Sequence, residues 1–299
     1  MIIEAKALKL VKIYCYVTDQ FSNGLKYSCE RMSNYSPELT DEEIMTIYLF
    51  VTHEEQRFRI KDIHRFANEY LRCWFPKLGS YAAFNNRINR LSETFKFLIN
   101  KMIIEFMPNE LDSNVSVLDS MPIVTCSGKR SPKVAKELID KTFCSSKNLW
   151  YHGLKLHVLG FHRPGTLPYP EQMLVTPAST NDLNVFKEAW SNIEGRTFFG
   201  DKIYSDKPFI KDLKADKNSN LLTPVKTLKN QNQWEKSFDK AADDNYSQFV
   251  SAIRQPIESF FNWINRKTGI QNASEVRSTK GLLVHVFGKI ASAFIYLAI

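Results

Sequence analysis

The stretch Arg254-Gln-Pro-Ile-Glu-Ser-Phe-Phe-Asn-Trp-Ile-Asn-Arg-Lys267 constrains this chain more than any other. Ile253, Ile257, Phe260, Phe261 and Ile264 recur at helical spacing and form one apolar stripe. Arg254, Glu258, Asn262 and Arg266 stand four apart and form a second, polar stripe. The segment therefore reads as a helix with a buried back and a polar front, acidic at Glu258 and basic at both ends. Pro256 lacks a backbone donor, so the helix either starts near it or kinks there. A carboxylate held on such a helix among cations suits two tasks, gripping a metal ion and lying beside a polyanion. Taken alone, an Arg254–Glu258 pair at this spacing also reads as an ordinary surface ion pair.

Two further acids stand at the edges of strand patterns upstream. Val115 to Val124 is rich in β-branched residues and reads as a strand containing Asp119. An unpaired charge there is costly unless it faces a cleft or a metal. Trp150 to Leu159 reads as a second strand, Arg163-Pro-Gly165 as a turn, and Met173 to Pro177 as a third strand. Asp182 opens a helix through Leu183, Phe186, Trp190 and Ile193, and is read as its cap. Arg196 to Gly200 is a fourth strand with Asp201 just past its end. A helix from Pro208 to Ala215, a fifth strand from Asn220 to Pro224 and a polar stretch at about 226–245 lead to the helix of Glu258.

The order is an antiparallel meander followed by alternating strand and helix. That is the plan of an α/β, ribonuclease-H-like mixed sheet with flanking helices. Alternation alone also fits a doubly wound sheet. The chain, however, has no Gly-x-Gly-x-x-Gly after its first strand and no Gly-x-x-x-x-Gly-Lys-Ser/Thr.

Residues 1–112 read as a mainly helical domain preceding a catalytic domain at 113–299. Thr40-Asp-Glu-Glu43 is a capping box, followed by Ile44, Ile47, Tyr48 and Val51 on one face. A helix from Ile60 to Trp74 ends before the turn Pro76-Lys-Leu-Gly79, and Ser80 caps the next helix. That helix has Tyr81, Phe84, Ile88 and Leu91 inside and Asn85, Asn86, Arg87, Asn89 and Arg90 outside. The pattern matches a helix-turn-helix reader, with Arg87 and Arg90 as candidate DNA contacts. It equally matches a helical bundle with a solvated face.

A length of 299 residues accommodates two domains, and a net charge of +8 suits a nucleic-acid partner. The five cysteines include no Cys-x-x-Cys pair and suit a reducing cytoplasm. The N-terminus lacks a signal-peptide pattern. Gly281 to Ile299 is apolar but carries His285 and Lys289, so it reads as a buried terminal helix, not a membrane span. Lys129 to Lys147 is rich in basic residues, including Lys129 and Arg130, and reads as a loop beside the first strand. Such a loop either neutralises phosphates or is simply solvated. His152 and His157 flank a strand and read as packed or surface residues.

Five blocks together resemble, in order, those of bacterial insertion-sequence transposases of the DDE class. They are Leu118-Asp119-Ser-Met-Pro-Ile, Trp150-Tyr-His-Gly-Leu-Lys-Leu-His157, Thr176-Pro-Ala-Ser-Thr-Asn-Asp182, Gly200-Asp201-Lys-Ile-Tyr204 and Arg254-Gln-Pro-Ile-Glu258-Ser-Phe-Phe-Asn-Trp263. The resemblance covers about residues 113–299. It implies that Asp119, Asp201 and Glu258 are catalytic acids binding divalent metal, and that Arg254 is the basic residue four before the Glu. Hard carboxylate oxygens suit Mg²⁺ or Mn²⁺, here a pair of ions.

The chain departs from the family's signature at two positions. Ser251 stands where relatives have Tyr, and Asn265 where they have Lys, with Arg266 and Lys267 adjacent. The resemblance further implies cleavage of double-stranded DNA at element ends and joining of the freed 3′-hydroxyl to target DNA. It implies a homodimer or larger assembly on DNA, a cytoplasmic location and no membrane partner; Trp234 reads as a lone tryptophan more readily than as one stacked on an unpaired base. A nuclease of the same fold that does not join strands, and a non-catalytic DNA-binding descendant, remain alternatives. A two-carboxylate glycosidase fits the basic balance poorly.

Overall fold

The computed structural model describes residues 2–30, 37–145, 147–225 and 240–298. In chain order its helices are α1 (Glu4–Ser22), α2 (Asp41–Glu55), α3 (Ile60–Tyr70), α4 (Tyr81–Ile88), α5 (Ser92–Glu105), α6 (Asp182–Ala189), α7 (Lys207–Lys217), α8 (Lys240–Arg254), α9 (Pro256–Thr268) and α10 (Thr279–Ala298). The strands are β1 (Val115–Ser127), β2 (Asp140–Cys144), β3 (Leu149–Phe161), β4 (Tyr169–Pro177), β5 (Thr197–Phe199) and β6 (Asn220–Leu222). Two compact units share the chain, and each is discontinuous in sequence. Met1–Phe106, Val124–Leu138 and Ile264–Ile299 make the first; Met107–Ile123 and Ile139–Trp263 make the second.

The first unit is helical and is built around α2. The expected capping box is present: the Thr40 hydroxyl accepts from the Glu43 N–H, and the Glu43 carboxylate accepts from the Thr40 N–H. Every residue from Ile44 to His53 is buried, so α2 is covered on all faces and not only along the stripe its periodicity suggests. Helices α1, α3, α4 and α10 pack against it. Ser80 caps α4 by accepting from the Ala83 N–H. Phe84, Ile88 and Leu91 are buried as expected, but Tyr81, read as an inner residue, is 42% exposed. Helix α5, which the sequence reading did not mark, packs against α10.

Helix α10 is long and apolar enough to cross a membrane, yet 61% of its apolar window is buried inside the protein. It is a core helix whose partners are α2 and α5. A division at residue 112 would group it with the sheet; its packing groups it with the N-terminal helices.

The second unit holds a six-stranded mixed sheet in the order β2-β3-β1-β5-β6, with β4 also paired to β3. Strand β3 pairs antiparallel with β2 along its first half and with β4 along its second. Strands β1, β5 and β6 run parallel. A mixed sheet with flanking helices after a helical front end is the ribonuclease-H-like arrangement. Strand β2 corrects one expectation. Asp140–Cys144 lies in the basic stretch read as a loop, but it hydrogen-bonds along Leu149–Gly153. Its five residues alternate between half-buried and exposed, too short and too polar a run to announce a strand. Helix α8 begins at Lys240, inside the polar stretch placed at about 226–245. Residues 226–239, with Trp234, lie outside the described residues.

The core of this unit gathers Leu118, Leu159, Phe186, Trp190, Phe198 and Tyr204. The Trp190 indole donates to the Gln172 side-chain oxygen at 3.0 Å, satisfying its buried polar atom. Two glycines of the sequence blocks have steric reasons. A Cβ on Gly200 would lie 2.8 Å from the Tyr204 ring. A Cβ on Gly153 would lie 2.0 Å from the Ile123 carbonyl oxygen, so only glycine lets β3 approach the main chain of β1 there. Gly153→Ala is therefore expected to lower stability by about 3 kcal/mol in urea denaturation, in the range of severe overpacking. An unchanged midpoint would contradict the close strand approach.

Candidate active site

The sheet register brings the first two acids together. In the parallel pairing of β1 with β5, Val117 stands opposite Phe199. Two residues further along each chain are Asp119 and Asp201. Asp201 leaves β5 and starts a short 3₁₀ turn, its carboxylate accepting from the Lys202 N–H at 2.6 Å. Asp119 remains within β1, accepting from the Ser120 N–H at 2.8 Å.

The third acid arrives across a helix junction. Helix α8 ends at Arg254 and α9 begins at Pro256, so the proline starts a new helix instead of kinking one. The single polar stripe expected from Arg254 to Arg266 is therefore broken after its first residue. The ion pair survives the break: Arg254 Nη2 donates to Glu258 Oε1 at 2.6 Å. The same guanidinium donates through Nη1 to Asp119 Oδ2 at 2.7 Å. Arg254 thus ties the acid of α9 to the acid of β1. Its Nε is buried and has no hydrogen-bond partner among the described residues. Behind it Ile257, Phe260 and Phe261 are buried, and Phe249 of α8 meets Phe199 of β5 edge to face.

Burial pushes the Asp119 carboxyl up to about 7. Arg254 and the Ser120 N–H oppose this shift, while the charges of Asp201 and Asp182 add to it. Glu258 is more open, with its side chain 53% exposed.

Beside Asp119 lies a buried polar network that the sequence reading missed. Asp182 was read as a helix cap, but Asn181 does the capping, accepting from the Leu183 N–H at 2.9 Å. The buried Asp182 carboxylate instead accepts from Lys155 Nζ at 3.0 Å and from the Ser120 hydroxyl at 3.1 Å. His157 is fully buried and bonded to the Thr176 hydroxyl at 2.8 Å. Burial lowers its pKa to about 4, so the ring is neutral and its 3.6 Å approach to Asp182 is a polar contact, not an ion pair. The available signal was the period-two spacing of Lys155 and His157, which share one face of β3.

The other candidate residues lie in the first unit. Arg87 donates to the Leu39 carbonyl at 2.8 Å and pairs with Asp41, tying α4 to the start of α2. Arg90 is half-buried. Lys129 and Arg130 are exposed in the turn after β1. Arg266 is exposed, and the Lys267 ammonium sits 4.0 Å from the centre of the Tyr296 ring. Among the described residues, no three His, Cys, Asp or Glu side chains are arranged to hold a metal ion. Between Asp119 and Glu258 stands the Arg254 guanidinium.

Residues 110–293 match the family model described as the transposase DDE domain. No curated protein and no solved structure matches the chain. The matched span covers most of the chain, including all three acids, so the protein belongs to the DDE transposase domain family. This is a family of enzymes that act on DNA and generally use divalent metal ions.

The Lys155–Asp182 pair is expected to be structural for this centre. Lys155→Met should cost about 3 kcal/mol in urea denaturation, because it leaves a buried carboxylate without its cation. A loss below a few tenths of that size would show the pair to be dispensable.

Proposed function

We propose that this protein binds the ends of a bacterial insertion element, cleaves them, and joins the freed 3′-hydroxyl to target DNA. The observation that carries this reading is the Arg254 bridge, which holds Glu258 against Asp119 although the two lie on different elements far apart in sequence. The β1–β5 register supplies Asp201 to the same end of the sheet.

The acids fit divalent cations by their chemistry. All the donors are carboxylate oxygens, which suit Mg²⁺ or Mn²⁺. One guanidinium faces three carboxylates; burial is the main cause of the raised Asp119 pKa, and the nearby charges of Asp201 and Asp182 add to it. Asp119, Asp201 and Glu258 would hold the ions, a pair of them in this reading. Bound there, divalent ions would activate the attacking oxygen and stabilise the leaving oxygen of an in-line displacement at phosphorus.

The chain's own residues do the rest. For Asp119 and Glu258 to turn oxygens toward a metal, Arg254 must release at least one of them. A released guanidinium can pair with a DNA phosphate, so the same residue serves the empty and the loaded site. Lys129, Arg130, Arg266 and Lys267 supply further positive charge for the backbone. Arg90 is the candidate contact on α4, whereas Arg87 is already committed to Asp41. Two element ends must be held together, so the working form is a homodimer or larger on DNA, acting in the cytoplasm.

Asp119→Asn, Asp201→Asn and Glu258→Gln are each expected to reduce cleavage and joining by about a thousandfold or more, the size of losing metal-ion catalysis. Binding of end DNA should stay within a few-fold of wild type. Gel analysis of cut and joined products with a labelled end substrate checks this. Wild-type cleavage in any variant would remove that residue from the site, and cutting without joining would favour a nuclease.

A further inference from the structure

A cavity of about 610 Å³ lies within the first unit, and none of the residues assigned a role above lines it. Helix α4 lines it with Tyr81 and Asn85, and Asn89, just past the end of α4, continues the stripe at four-residue spacing. Its charged lining is mainly basic. Two of its arginines are already matched, Arg65 by Asp62 at 2.8 Å and Arg59 by Glu275 at 2.5 Å. Lys61, Arg277 and Lys289 make no ion pair among the described residues. Arg277 is turned to main-chain carbonyls, those of Ser274 at 3.1 Å and Val276 at 3.0 Å.

Lys289 is the informative member. It is only 2% exposed, and its one hydrogen bond among the described residues is a long one, 3.3 Å to the Gly269 carbonyl. The ammonium can donate three bonds, and it sits 5.3 Å from the centre of the Phe58 ring. Burial pushes the Lys289 ammonium down to about 7 although the Glu275 charge opposes the shift, and a methionine would fill the same space without the cost of a buried charge. A position that keeps a lysine at a loss of stability, in a cavity with two more unmatched cations and three amide side chains, is built for an anion with several oxygens.

We propose that this cavity binds a phosphate group, and that DNA backbone supplies it. The first part stands on the cavity alone; the second rests on the reading of the protein as an enzyme acting on DNA. The site would grip DNA through α4 and α10, and its occupation would couple DNA binding to the helical core.

The test uses the full chain, the Lys289→Met variant and the double variant Lys61→Gln/Arg277→Gln, with two measurements. In the first, inorganic phosphate is added and the melting temperature followed; ligand that binds only the folded state raises it. Wild type should shift upward by a few degrees and both variants should not. Lys289→Met should also melt higher than wild type before phosphate is added, which a purely structural lysine would not allow. In the second, duplex affinity is measured across salt concentrations. The log–log slope should fall by about one in the double variant, as for the loss of one phosphate contact.

A retained phosphate shift in the double variant would overturn the cavity as a phosphate site. A lost shift with an unchanged salt slope would keep the site and overturn DNA as its source, leaving a free phosphate compound. If wild type bound no duplex at all, the functional reading would fall, while the phosphate measurement would still decide the cavity. Should Lys289→Met fail to fold, the double variant, changed only at exposed positions, decides both points.

Discussion

The Arg254 guanidinium is the interaction on which the rest of the second unit depends. It sits 14% exposed between two carboxylates from different elements, and it is what places Glu258 beside Asp119. Taking a guanidinium out of water is expensive, and the two charge-assisted hydrogen bonds offset that expense. Remove either acid and a half-buried cation is left short of partners. Remove the arginine and like charges face one another. The arrangement is stable only as a set, which is why an apolar stripe must hold α9 and a parallel strand pair must hold Asp119 and Asp201.

The same set explains how a structural feature becomes a chemical one. Burial raises Asp119, and the surplus of neighbouring negative charge that adds to the shift lowers the cost of admitting a cation. Membership of the DDE transposase domain family gives that surplus a use, since the family acts on DNA and generally employs divalent ions. The adjoining Lys155–Asp182 pair carries no such surplus. Its charges cancel, and it braces Ser120, the neighbour of Asp119.

Much of this was legible in the amino-acid order, for identifiable reasons. β-Branched residues marked β1, short apolar runs marked β3 and β4, and the 3.6-residue stripe of Ile257, Phe260 and Ile264 marked α9. Thr40 and Ser80 announced their helices because capping is local chemistry. The parts that stayed hidden are those set by tertiary contact. Strand β2 has little apolar content and exists because β3 offers it an edge. Helix α10 could not be assigned its partners, because apolar periodicity shows that a face is buried and not against what. Asp182 was read as a cap because Asp is a good one. Asn181 took that role, and Asp182 was drawn to a lysine on another strand. Arg87 faced outward by periodicity yet found Asp41 on a neighbouring helix.

The account's central claim is that Asp119, Asp201 and Glu258 jointly hold divalent ions. Counting Mn²⁺ bound per chain by electron paramagnetic resonance, with end DNA present, tests it most directly. The account predicts a pair of ions on the wild-type chain and fewer on each single-acid variant. An undiminished count in the Asp119→Asn, Asp201→Asn and Glu258→Gln proteins would contradict it.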